Sequence, residues 1–190
     1  MEDNMIGYVI CGSFCNFENS IKVLEKTAEK FGDVVPIMSY NAYSTDTRFG
    51  KAADFNDRIE KICKRKIVHT LSDAEPLGPK IKLDLMIICP CTGNTLSKLA
   101  NGIYDTPATL AAKAHMRTSR PLLISLATND ALSGNIENIS KMYVRKNVFF
   151  VPMRQDDVKS KPHSLVCDFS LVEEAAEKAL SGTQMLPLFI

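Results

Sequence analysis

The chain predicts an α/β fold: one Rossmann-like domain over residues 1–190, with an open parallel sheet of five or six strands and helices on both faces. Three observations predict it. Short apolar runs alternate with helix-length amphipathic stretches along the whole chain, the rhythm of strands joined by crossover helices. The run 83–89, LDLMIIC, is broken only by Asp84, the composition of a strand buried on both faces. At 190 residues, 45% hydrophobic and 24% charged, the chain can bury one substantial core.

The elements follow in order. Residues 6–11 are an apolar run ending in Gly12-Ser13, a first strand and its turn. Residues 17–31 place Phe17, Ile21, Leu24, Ala28 and Phe31 at helical spacing, and Gly32 is a natural stop. Residues 34–39 make a second strand in spite of Pro36, 40–50 a polar, turn-rich loop, and 52–63 a helix through Phe55, Ile59, Ile62 and Cys63. A short third strand at 67–69 precedes a second loop, 72–82, with Pro76, Gly78 and Pro79. The central strand 83–89 should stop at Pro90, which has no N–H for a ladder. A small polar turn, Thr92-Gly93-Asn94-Thr95, then leads to a helical pattern at Leu96, Leu99 and Ala100, capped by Thr92 or Asn94. Residues 107–117 read as a helix with Pro107 in its first turn, 121–127 as a strand, 135–145 as a helix and 148–151 as a strand. A charged loop at 154–163, a last helix at 171–180 and an apolar tail from 182 complete the chain.

Composition excludes several classes. A net charge of +1 leaves no basic face for nucleic acid. The start, MEDNMIGYVICG, is acidic where a signal peptide would be basic, and no run approaches the roughly eighteen apolar residues of a membrane span. A cytoplasmic protein is expected. The six cysteines (11, 15, 63, 89, 91, 167) show CxxxC and CxC spacings without a second pair, so they read as reduced thiols packed as small apolar side chains, with no metal.

In an open α/β sheet the ligand lies beyond the carboxyl ends of the strands. Four loops should gather there: residues 12–16, 40–50, 90–95 and 128–134, rich in hydroxyls and amides. There is no GxGxxG, GxxxxGK[ST] or GxSxG, so a tightly held dinucleotide, a triphosphate cradle and a serine nucleophile elbow are all missing. Gly12-Ser13 remains as a short phosphate-binding signal: glycine lets backbone approach, serine donates a hydroxyl, and the following helix adds its positive end. The same two residues also suit a plain turn.

Gly12-Ser13 together with PCTGNTLSKLANGIYD resembles the homo-oligomeric flavin-containing cysteine decarboxylase superfamily, whose stretch reads like P-A-S/T-A-N-T…K-A-G-D; Pro90, Thr92, Asn94, Thr95, Lys98, Ala100, Gly102 and Asp105 fall on it. The segments VVPIMSY, STDTRFG, AEPLGPK, ATNDALSGN and FFVPMRQDDVKSKPHSLV extend the likeness over essentially the whole chain, towards its dipicolinate-forming branch. The superfamily's catalytic histidine and P-x-M-N clamp have no counterpart: Pro76-Leu77-Gly78-Pro79 and Ala127-Thr128-Asn129-Asp130 stand there. His69 is too far upstream to carry over and suits a strand-end ring with its own partner. Decarboxylation of a peptidyl-cysteine is therefore disfavoured.

The resemblance implies FMN as cofactor, a nicotinamide-binding A subunit that supplies NAD(P), and a homo-oligomer, trimeric or a multiple of it. It implies oxidation of dihydrodipicolinate, a small dicarboxylate, to an aromatic pyridine dicarboxylate during sporulation. A non-catalytic FMN-binding scaffold within the same complex stays open as an alternative, as does a stand-alone flavin decarboxylase. Gly12 and Ser13 would take the FMN phosphate or ribityl end, with Ser39 and Thr45 as further hydroxyls. Thr92, Gly93, Asn94 and Thr95 would line the flavin, and Thr128 and Asn129 would reach its ring. For the substrate's carboxylates Arg48 leads, because a guanidinium grips a carboxylate bidentately; pairing with Asp46 on the surface is its other reading. Arg154 and Lys161 are weaker candidates, since charge runs are usually solvated.

Overall fold

The computed structural model describes residues 4–190; the first three residues of the acidic start lie outside this range. One seven-stranded sheet runs through the molecule. Five strands are parallel: β1 (Met5–Ile10), β2 (Asp33–Met38), β3 (Leu85–Cys91), β4 (Leu122–Thr128) and β5 (Val148–Phe150). Two more, β6 (Met153–Asp157) and β7 (Lys161–Cys167), form an antiparallel hairpin. The order is β2-β1-β3-β4-β7-β6, with β5 paired to the start of β4 and β7 to its end.

Alternation along the strands builds two cores. Ile6, Tyr8, Ile10, Leu85, Ile87 and Cys89 face α1 (Phe17–Phe31), α3 (Ala52–Cys63) and α8 (Val172–Leu180). Val9, Met86, Ile88 and Ile124 face α4 (Leu71–Ala74), α5 (Gly93–Ala100), α6 (Pro107–Met116) and α7 (Ile136–Tyr143). All seven residues of β3 are buried, as a strand covered on both faces requires. Each large apolar side chain removed from water there contributes about 1.5–3 kcal/mol. No described helix is long and apolar enough to cross a membrane.

The helices expected at 17–31, 52–63, 107–117 and 171–180, and the parallel strands, stand within a residue or two of their expected bounds; the helix expected at 135–145 is shorter by two residues at its C-terminal end. Several expectations are corrected. β3 does not stop at residue 89 but continues through Pro90 to Cys91, because the β3–β4 register slips between Ile88 and Cys91, where the missing N–H falls. The Pro90 carbonyl still accepts from Cys11 N–H at 3.2 Å. Residues 67–69 are not a strand; Val68 alone makes a bridge to Ile37. The loop at 40–50 begins with a short helix, α2 (Tyr40–Ser44), and that at 72–82 begins inside α4. Helix α5 starts at Gly93 rather than Leu96, because Thr92 is its cap and accepts from Thr95 N–H at 3.3 Å.

The largest difference is at residues 154–163. The expected charged loop is the β6–β7 hairpin, so the sheet has seven strands instead of five or six and is only mostly parallel. Its outer strand is exposed on both faces from Arg154 to Asp157, which erases the period-2 signal, and its charges protect an edge from pairing. Asp157 turns the hairpin by accepting Lys159 and Ser160 N–H, each at 3.0 Å. The apolar tail folds back beside β6, with Phe189 bridged to Met153, and leaves Leu186, Phe189 and Ile190 exposed.

Candidate functional site

The strand order 2-1-3-4 reverses direction between β1 and β3, the place where an open α/β sheet leaves a crevice at its carboxyl edge. Two adjoining cavities lie there. The larger, about 860 Å³, is lined by the turn after β1 (Gly12 to Asn16), by Arg48 and Phe49, by Thr92, Gly93 and Asn94, by Ala127 to Asp130, and by the hairpin through Asp156, Lys161 and residues 164–166. That volume falls within the roughly 300–1,000 Å³ of small-molecule sites. The smaller, about 480 Å³, shares Gly12, Thr92 and Asn94 and adds Ser39, Tyr40, Asn41, Thr95, Lys98, Asp105 and Thr106.

Two helix starts open onto the larger cavity. Helix α1 has no side-chain cap from Asn16, whose amide instead donates to Ser13 Oγ at 2.9 Å. A short 3-10 turn, Phe14–Asn16, runs directly into α1, so Asn16 N–H bonds Ser13 O at 2.9 Å and Phe17 N–H bonds Phe14 O. On α5 the Thr92 hydroxyl caps Thr95, while Asn94 is exposed and its side chain has no hydrogen-bond partner among the described residues. Gly93 is buried against the end of β4: an added Cβ would stand 2.5 Å from Thr128 Oγ1 and 2.6 Å from Asn135 Nδ2. Gly12 lines both cavities and has room for a Cβ, which would meet Phe14 and Asn41 at ordinary contact distances.

The charges are arranged unevenly. Asp130 is engaged by the protein, accepting from Thr128 Oγ1 at 2.5 Å and from Asn135 Nδ2 at 2.8 Å. Lys161 pairs with Asp156, whose carboxylate raises the lysine's pKa above its ordinary value. Arg48 lies over the Phe49 ring at 4.8 Å and has no ion pair among the described residues. Asp46, its expected surface partner, instead accepts Ala52 N–H at 2.8 Å, and Thr47 Oγ1 accepts Phe49 N–H at 3.1 Å. The loop is thus held by its own side chains and leaves the guanidinium to the cavity wall.

Gly12, Ser13, Arg48, Thr92, Gly93, Asn94, Thr128 and Asn129 all meet in the larger cavity. Ser39 and Thr95 meet in the smaller one, with structural duties: Ser39 Oγ caps α2 at 3.4 Å from Ala42 N, and Thr95 Oγ1, nearly buried, donates to Cys11 Sγ at 3.3 Å. Thr45 is on neither wall; it ends α2 on the exposed side. Arg154 pairs with Asp168 at 3.3 Å and is also outside. His69 stacks on Tyr43 with its Nδ1 3.1 Å from Ile67 O, the satisfied ring expected of it. The sequence reading missed Phe49, Asp156 and the hairpin wall. It also missed Cys15, the one exposed thiol of the six, which lines the cavity while burial pushes Cys11 and Cys89 up to about 11.

Fold and site together define a nucleotide-sized crevice at a parallel-sheet switch point, and the chain belongs to the Flavoprotein family, which matches residues 16–176. Within that family it is a homologue of the B subunit of dipicolinate synthase. It is 39% identical to that protein of Bacillus subtilis (strain 168) over 190 residues, 100% of this chain and 95% of the relative. The crystal structure of the dipicolinate synthase B subunit from Bacillus halodurans C superposes with a TM-score of 0.91 at 36% identity, covering 100% of this chain and 98% of that one. The FMN-dependent cysteine decarboxylase SpaF shares the fold, with a TM-score of 0.66 at 21% identity over 93% of this chain and 97% of that one.

Proposed function

We propose that this chain is the flavoprotein subunit of a dipicolinate synthase, oxidising dihydrodipicolinate to dipicolinate in the cytoplasm during sporulation together with a nicotinamide-binding A subunit. The observation that carries the reading is the larger cavity, which joins the Gly12–Asn16 turn, the Thr92-Gly93-Asn94 turn and Arg48 on one surface. The likeness to the Bacillus subtilis protein over the whole chain supports the same reading.

These residues fit FMN. Gly12 lines both cavities without a side chain, and the Ser13 hydroxyl, which accepts from Asn16, keeps its own hydrogen to donate to a phosphate or ribityl end. Asn94, Thr128 and Asn129 offer amides and hydroxyls to the edge of a flat ring. FMN, when bound, supplies a two-electron acceptor for the ring oxidation, with NAD(P) supplied by the partner subunit. Arg48 binds one substrate carboxylate and so orients the ring that must lose two electrons and two protons. Because the product gains aromaticity, holding the ring in place contributes more than a strong base would.

Stopped-flow mixing of the FMN-loaded chain with dihydrodipicolinate tests this. Bleaching of the flavin band at a rate that matches turnover is expected. Steady turnover of the two-subunit complex without bleaching would move the chemistry to the A subunit and leave this chain an FMN-binding scaffold. The reading also includes a homo-oligomer, a trimer or a multiple, that covers Leu186, Phe189 and Ile190. Light scattering at micromolar concentration should return such a mass; a monomer would remove that part.

A further inference from the structure

We infer that Lys161 is a second carboxylate-binding residue of the larger cavity, and that Asp156 holds its place until a dianionic ligand arrives. The inference rests on the proposed substrate class and adds to it the residue that reads the second carboxylate. In the strand order Arg48 follows β2 and Lys161 opens β7, so the two cations reach the crevice from its two flanks. Gly12 and Thr92 follow β1 and β3, and Thr128 ends β4, the strands between them.

The ion pairs decide which charges a ligand can use. The carboxylate of Asp130 is already satisfied by Thr128 and Asn135 and does not compete for either cation. Arg154, the hairpin's guanidinium, is bound to Asp168 away from the cavity. Arg48 has no carboxylate partner among the described residues. Lys161 has one, but that partner also lines the cavity, and the two side chains are 54% and 41% exposed. A solvated pair of this kind holds with little net energy, so an incoming carboxylate can exchange with Asp156 at small cost. One free cation and one exchangeable cation match two carboxylates on one small ring. A monocarboxylate would be satisfied by Arg48 alone.

The test is titration calorimetry of the purified full chain with pyridine-2,6-dicarboxylate and with pyridine-2-carboxylate, its FMN content recorded in parallel. Lys161→Gln should weaken the dicarboxylate by about tenfold and the monocarboxylate by less than about threefold, the loss of one charge-assisted contact. Asp156→Asn should tighten the dicarboxylate, because the competing carboxylate is gone, and Lys161→Arg should restore most of the affinity. Equal dicarboxylate binding by wild type and Lys161→Gln overturns the inference. So does a loss in Asp156→Asn as large as in Lys161→Gln, since the pair would then be shaping the hairpin. If the wild type binds neither ligand, the substrate reading falls and takes the inference with it; a wild type that binds the dicarboxylate no more tightly than Lys161→Gln does removes the inference alone.

Discussion

The two ends of the same sheet are built in opposite ways. At the amino ends of the strands the polar groups close on one another. Asp84 accepts Met5 N–H at 2.9 Å, Arg120 donates to Leu83 O at 2.9 Å and pairs with Asp84, and His115 Nε2 meets Pro121 O at 2.8 Å. Gly78 presses so closely on α6 that an added Cβ would run into Ala114 O. At the carboxyl ends the side chains of Asn94 and Arg48 are left without such partners among the described residues. Polar groups that fold against each other stabilise the chain; polar groups left open at a crevice are available to a ligand. Substitutions at the closed end should therefore cost stability and spare binding, and those at the open end the reverse.

The strongest way to break this contrast is Gly78→Ala. Gly78 has φ +108, and its new Cβ would meet the backbone of α6, which cannot give way as a side chain tip could. A loss of about 3 kcal/mol in urea unfolding is expected, with FMN affinity of the folded fraction unchanged. A parallel fall in FMN affinity would mean the two ends are coupled.

Arg48→Lys probes the open end. It keeps the charge and loses the fork, so turnover with the A subunit present should fall about tenfold, roughly 1.4 kcal/mol, while FMN content and unfolding midpoint stay the same. Wild-type turnover at limiting substrate in both Arg48→Lys and Arg48→Ala would make the arginine a surface residue.

The smallest effect concerns pH at the closed end. Burial holds the His115 pKa below its ordinary 6.5, with nearby Arg120 acting the same way and the Pro121 carbonyl and Asp84 opposing. The unfolded chain takes up that proton near pH 6.5 where the folded chain resists it, so stability should be flat above that value and decline below it. The carboxylates held low, such as Asp105 and Glu60, come into play only below their ordinary 3.8 and 4.5. Unfolding free energy measured between pH 7 and 5 should fall in the wild type and flatten in His115→Gln; an equal slope in both would exclude the histidine.

Much of this was legible in the sequence for physical reasons. A strand buried on both faces must be apolar throughout, and residues 83–89 are; a helix that packs one face must repeat near 3.6, and 17–31 does. The turns after β1, β3 and β4 could be placed in the crevice because the sheet topology puts every such turn at one edge. The hairpin could not be read. Its outer strand buries neither face, so Arg154 to Asp157 carry no periodicity, and Lys161 passed for part of a solvated charge run. Thr45 was misplaced for a different reason: its loop lines the crevice at Tyr40, Asn41, Arg48 and Phe49, while Thr45, at the end of α2, faces solvent.

The central claim is that FMN sits on the open end of the sheet, and titration calorimetry of FMN into wild type and Asn94→Ala tests it most directly. Asn94 has no hydrogen-bond partner within the described fold, so its loss should leave unfolding unchanged and weaken FMN by roughly 1–3 kcal/mol, the cost of the hydrogen bond it would make to the flavin. The account predicts saturable binding to the wild type and an equally stable variant that binds FMN roughly five- to 150-fold more weakly, as those energies convert. Equal FMN affinity in the two proteins, or no FMN uptake by the wild type, would contradict it.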